Sequence, residues 1–153
     1  MSALGGIPVH IERRAVPPES GTIGGGLAAL LAEIATRLEH LAATGEPAAI
    51  DLLGLPMNLQ DRSRLSETLG PGEVEIVLTA GGESRIRETG VQGVWWIEHR
   101  DRDGALIASL IEIAPVPEIL IVPVEELARG AGRLREATRA TRRLQAESRH
   151  GIT

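Results

Sequence analysis

VWWIEHRDRDGALIASLIEI, residues 94–113, decides the fold. Val94 to His99 and Leu106 to Ile113 read as two strands. Asp101, Arg102, Asp103 and Gly104 between them supply turn chemistry, with Gly104 free to take positive φ. The pair predicts a β-hairpin. Successive side chains on a strand point to opposite faces, so Trp95 and Trp96 must part. The second strand is apolar on both sides. Leu106, Ala108 and Leu110 face one way; Ile107, Ile111 and Ile113 face the other. A strand of that kind is covered on both faces. If helices cover both, both indoles are core. If one face is bare, one indole is exposed, covered by the leader, or buried by a partner at a contact surface of the type in which Trp is enriched.

Upstream of the hairpin, Val74, Ile76 and Leu78 alternate with Glu73, Glu75, Val77 and Thr79, which predicts another strand with one buried face. Gly81 and Gly82 turn it. Arg85 and Arg87 flank Ile86 in a polar strand expected at the surface, and Gly90 and Gly93 bracket the next bend. Leu27, Leu30, Leu31, Ile34, Leu38 and Leu41 recur at three- and four-residue steps, the mark of a helix over 27–43. Gly45 and Pro47 close it. Residues 48–53 form a short strand. Asn58 is a good cap for a helix over 59–69, with Asp61 in its first turn, and Gly70, Pro71 and Gly72 stop it.

Downstream, Pro115 and Pro117 break the sheet, and residues 118–122 are apolar without a clear period. Pro123 suits the start of a long last helix. Its expected inward stripe is Val124, Leu127, Ala128, Ala131, Leu134, Ala137 or Thr138, and Leu144. The order α-β-α-β-β-β-β-α predicts one α+β domain over 26–153. About three helices pack on one face of a mostly antiparallel, meander-like sheet. Residues 1–25, dense in Gly and Pro, are expected to form a flexible leader.

The chain has 153 residues, room for one core of ordinary size. It has no Cys, Phe, Tyr or Lys, so all 16 basic residues are Arg. Disulfides, thiolate metal sites, lysine Schiff bases and the Walker lysine are excluded. The net charge of −5 argues against a general nucleic-acid binder. That charge is unevenly spread: residues 1–128 carry −10 and residues 129–153 carry +5, an acidic body with a basic tail. No secretory signal or membrane-length apolar run is present, so the expected location is the cytoplasm.

Catalysis finds little support. Gly21 to Leu27 is not a phosphate loop, and His10, His40, His99 and His150 show no metal-ligand spacing. Glu98 and His99 are the nearest approach to a reactive pair, yet as strand neighbours they point apart. No catalytic, metal or cofactor residue is assigned. Arg135, Arg139 and Arg143 repeat every four residues on the last helix, a spacing at which like charges repel unless an acidic partner or solvent relieves them.

Leu55–Pro56, Asp61–Arg62, Leu69–Gly70–Pro71–Gly72–Glu73–Val74, Gly82–Glu83–Ser84, Thr89, Val94–Trp95 and Pro115–Val116–Pro117–Glu118 follow in a familiar order. Over about residues 48–140 the chain resembles the C-terminal conserved region of the HupH/HyaF family of hydrogenase expression proteins. Many members carry two related copies of this region, and this chain matches the C-terminal one. The resemblance implies a non-enzymatic assembly factor or chaperone for an uptake [NiFe] hydrogenase. It would act on the small-subunit precursor before export, with a thioredoxin-like accessory protein as companion. It supplies no catalytic residues. The expected partner-binding residues are Trp95, Trp96, Glu83, Ser84 and Arg85, with Arg139 and Arg143 on the helix. Two other readings stand beside it: a small enzyme or ligand-binding domain using Glu98 or His99, and a homodimeric module built on an uncovered sheet face. With no cysteine, any contribution to an iron–sulfur protein is through protein contact, because there is no thiolate here to hold a cluster.

Overall fold

A computed structural model describes residues 25–151; the 1–25 leader lies almost wholly outside them. The elements are α1 (Gly25–Thr44), β1 (Ala48–Asp51), α2 (Leu59–Leu69), β2 (Pro71–Leu78), β3 (Glu83–Thr89), β4 (Val94–Arg100), β5 (Leu106–Ile113), a 3₁₀ turn (Glu118–Leu120) and α3 (Val124–His150). Every strand pairing is antiparallel, in the order β1-β5-β4-β3-β2. Strands β2 to β5 form a meander, and β1 adds to its β5 edge. The expected α+β class holds.

Local chemistry sets the boundaries where the sequence is explicit. Asn58 and Asp61 form a reciprocal capping box: the Asp61 N–H donates to Asn58 Oδ1 at 2.8 Å, and the Asn58 N–H donates to Asp61 Oδ2 at 3.3 Å. In the β4–β5 turn, Asp101 Oδ1 accepts from the N–H groups of Asp103 and Ala105, each at 2.9 Å, while Gly104 takes φ +84°. Gly82 is required by close approach. It has φ +152°, and a Cβ there would run into the Arg100 carbonyl oxygen.

The sheet has two unlike faces. On the inner face, Leu30, Ile34 and Leu41 of α1 and Leu65 and Leu69 of α2 meet Ile50, Val94, Trp96, Ile111 and Ile113. On the outer face, Ile86, Trp95 and Ile97 form a second cluster with Ile76, Leu78, Leu110 and Leu120. Trp95 is 7% exposed and Trp96 is 5% exposed. Both indoles are therefore core, but helices do not cover both. The segment after β5 folds back over the outer face, and Trp95 Nε1 donates to the Ala114 carbonyl at 3.0 Å.

Gly70 caps α2 at Leu69, as expected, and β2 begins directly after it at Pro71. Two expectations need correction. The Arg85–Arg87 strand is not peripheral: β3 lies between β2 and β4, and Ile86 is fully buried. Its arginines are accommodated on the inner side, where the Arg87 guanidinium lies 5.8 Å from the Trp96 ring centroid. Finally, α3 does not pack its stripe. No residue of this 27-residue helix is buried, and Val124 and Leu134 are 74% and 71% exposed.

These placements set an energetic contrast. Trp96→Ala should cost about 3–5 kcal/mol through lost burial and the cavity left behind. Leu134→Ala should lie within about 0.5 kcal/mol of wild type. Gly82→Ala should cost more than about 1 kcal/mol, because its backbone and its neighbour both oppose a side chain. Urea unfolding followed by circular dichroism measures all three. Equal effects of the Trp96 and Leu134 changes would contradict this packing.

Candidate functional site

The candidate contact residues do not form one surface. Trp95 and Trp96 lie on opposite faces, and neither offers much area to a partner. Glu83 and Arg85 stand together near the β2–β3 turn. Arg85 Nη1 reaches Glu75 Oε1 at 3.3 Å, and its Nη2 reaches Glu83 Oε1 at 3.2 Å. Ser84 points the other way, to the outer face, and its Oγ lies 2.7 Å from His99 Nδ1. Arg139 and Arg143 are remote on α3, where Glu136 accompanies them at 3.5 and 3.9 Å.

Two surfaces emerge instead. The first is the edge of β2, which among the described residues pairs with β3 alone. Its pairing is irregular between Pro71 and Glu75 and regular from Glu75 to Leu78. Val74 and Val77 are exposed along it, with Glu73 and Glu75 between and beside them. Pro71 and the acidic side chains blunt the beginning of this edge, and the stretch ending in Val77 and Leu78 is left open. Glu83 and Arg85 border that open stretch.

The second surface is an open groove of about 810 Å³ on the outer face. Ile97, His99 and Leu110 form part of its floor; Val116, Ile119 and Ile121 form part of its wall. Glu112 and Glu118 are its acidic groups, tied together because Glu112 Oε1 accepts the Glu118 N–H at 2.7 Å. The sequence reasoning missed this groove. Its signal was present in the outward apolar set of β5 and in the apolar run 118–122, but nothing in their spacing said that one lies beside the other.

Glu98 and His99 occupy opposite faces, as strand alternation requires. The surface around His99 is concave, so shape leaves a ligand-binding reading open. Its chemistry is sparse. Among the described residues no carboxylate pairs with His99, so the Ser84–His99 contact lacks the third group that orients a base toward a nucleophile. The described residues also contain no group of three or more His, Asp or Glu side chains suited to a metal. No described helix is long and apolar enough to cross a membrane.

The fold thus defines an α+β domain that, among the described residues, presents an open strand edge and an apolar groove. Residues 26–141 match the family model for the C-terminal conserved region of HupH hydrogenase expression protein, and the chain belongs to that family. A solved structure, hydrogenase expression protein HupH from Thiobacillus denitrificans, is 44% identical with a TM-score of 0.68 and covers 75% of this chain and 98% of its own. Hydrogenase expression/formation protein HoxQ of Azotobacter vinelandii is 29% identical over 143 residues, spanning 88% of this chain and 50% of the relative. Hydrogenase expression/formation protein HupH of Rhodobacter capsulatus is 32% identical over 135 residues, spanning 88% and 48%. The chain therefore spans about half the length of these curated relatives.

Removing the Ser84 hydroxyl tests the outer-face geometry. Ser84→Ala should lower stability by about 1 kcal/mol and change the His99 ring-nitrogen chemical shifts. Unchanged ring shifts would contradict the contact.

Proposed function

We propose that this domain is a non-enzymatic assembly factor in hydrogenase maturation. It acts in the cytoplasm on the small-subunit precursor, with a thioredoxin-like protein as companion. The names of its relatives, hydrogenase expression/formation proteins, support the process. The sparse chemistry around Glu98 and His99 favours contact over catalysis.

The observation that carries the mode of contact is the open β2 edge. An unpaired strand edge offers backbone donors and acceptors that an extended peptide satisfies by adding as a further strand. Such binding depends little on side-chain identity, which suits recognition of a segment not yet packed into its final fold. Val74 and Val77 supply apolar contact, and Glu83, Arg85 and Glu75 supply a charged border. On this reading the two indoles support binding indirectly, by holding β3 and β4 in place beneath the edge strand.

The test is retention of purified small-subunit precursor on the immobilised chain. Charges introduced by Val74→Glu with Val77→Glu should lower retention at least about tenfold, as charged edges oppose strand addition, while the circular dichroism spectrum stays unchanged. Glu98→Gln and His99→Gln should retain precursor like wild type. Full retention by the Val74/Val77 variant would contradict the edge as the contact. Loss of retention in the His99 variant alone would move the site to the groove.

A further inference from the structure

The long helix α3 and the outer groove each lack something that the other supplies. Every residue of α3 is solvent-exposed except for partial cover at Gly130, although Val124, Leu127, Ala131, Leu134 and Thr138 recur at three- and four-residue steps on one face. A helix that buries nothing depends on propensity alone, and Gly130 and Gly132 in its interior are poorer helix formers than Ala. The groove presents the converse: an open apolar trough whose wall residues Val116, Ile119 and Ile121 are largely exposed.

Charge matches the two. Residues 124–150 of α3 carry seven Arg and four Glu, two of the Glu in its first turn, while residues 25–123 carry seven Arg and fifteen acidic side chains. Arg135 and Arg142 stand four residues beyond Ala131 and Thr138, which places them along the apolar stripe. Among the described residues neither has an acidic partner, and neither Glu112 nor Glu118 in the groove has a basic one. The apolar surface is also continuous, since Ile121 of the groove wall is followed by exposed Val122 and Val124 and then by Leu127. Only Val122 and Pro123 separate wall from helix, which leaves little slack for α3 to fold back over its own groove.

The geometry points to a second copy of this chain as the occupant: α3 of each copy lies in the outer groove of the other, forming a reciprocal two-fold dimer. Such an interface repeats the same contact twice, so each weak match of apolar stripe and charge counts double. It leaves the β2 edge open, because Ala48 and Ala49 place the groove toward β1, the opposite edge of the sheet. The dimer therefore does not depend on the proposed precursor contact.

Sedimentation of the full chain over a range of concentrations tests it. The expected result is a dimer that dissociates on dilution and more readily at high salt. Leu127→Glu with Leu134→Glu should be monomeric throughout, with the thermal transition of the body matching that of wild type diluted to monomer. Glu118→Arg and Arg135→Glu should each weaken association about tenfold, and an equimolar mixture of the two should recover part of that loss. A wild-type chain that stays monomeric would overturn the proposal, as would a dimer insensitive to the leucine changes. A monomer whose body melts earlier with the leucine changes would overturn it too, and would assign the groove to the chain's own helix.

Discussion

Everything in this domain hangs on the alternation of one strand. Because β4 places Trp95 and Trp96 on opposite faces, each face of the sheet acquires one of the chain's only two aromatic side chains. Trp96 sits under α1 and α2 in a conventional helix-on-sheet core. Among the described residues Trp95 meets no α-helix, and the chain covers it by returning over the outer face after β5, with Leu120 packed against its cluster and the indole bonded to Ala114. That return raises the wall of the groove. The need to bury a second indole thus leads directly to the groove on the outer face.

The same two-sided burial separates stability from contact. The large side chains best suited to anchoring a partner are consumed by the core. What remains at the surface of the described residues is backbone at the β2 edge, medium-sized aliphatic groups, and charge. The basic α3 and the acidic body complete this division, because the charge asymmetry visible along the chain becomes an asymmetry between a free helix and a grooved sheet.

Much of the fold was legible because local rules were explicit. The Asn58–Asp61 capping box, the Asp101–Gly104 turn and the alternation in β4 and β5 each follow from a few adjacent residues. What was not legible is what meets what. Arg85 and Arg87 made β3 look peripheral, although one arginine stacks toward Trp96 and the other joins a carboxylate pair. The stripe on α3 looked like an inward face, although periodicity reports only that a face is apolar and not where its cover comes from. For the same reason the indoles were good markers of the central sheet and poor markers of a contact surface. The groove joins β4, β5 and residues 114–121, and no spacing along the chain signals such a junction.

The most direct test of the central claim, that this domain works by binding hydrogenase small-subunit precursor, is recovery of the tagged chain from cells actively making hydrogenase, with its companions identified by mass spectrometry. The account predicts that the unprocessed small subunit is recovered at stoichiometric levels. Recovery of the chain without that precursor, while hydrogenase is being assembled in the same cells, would contradict it.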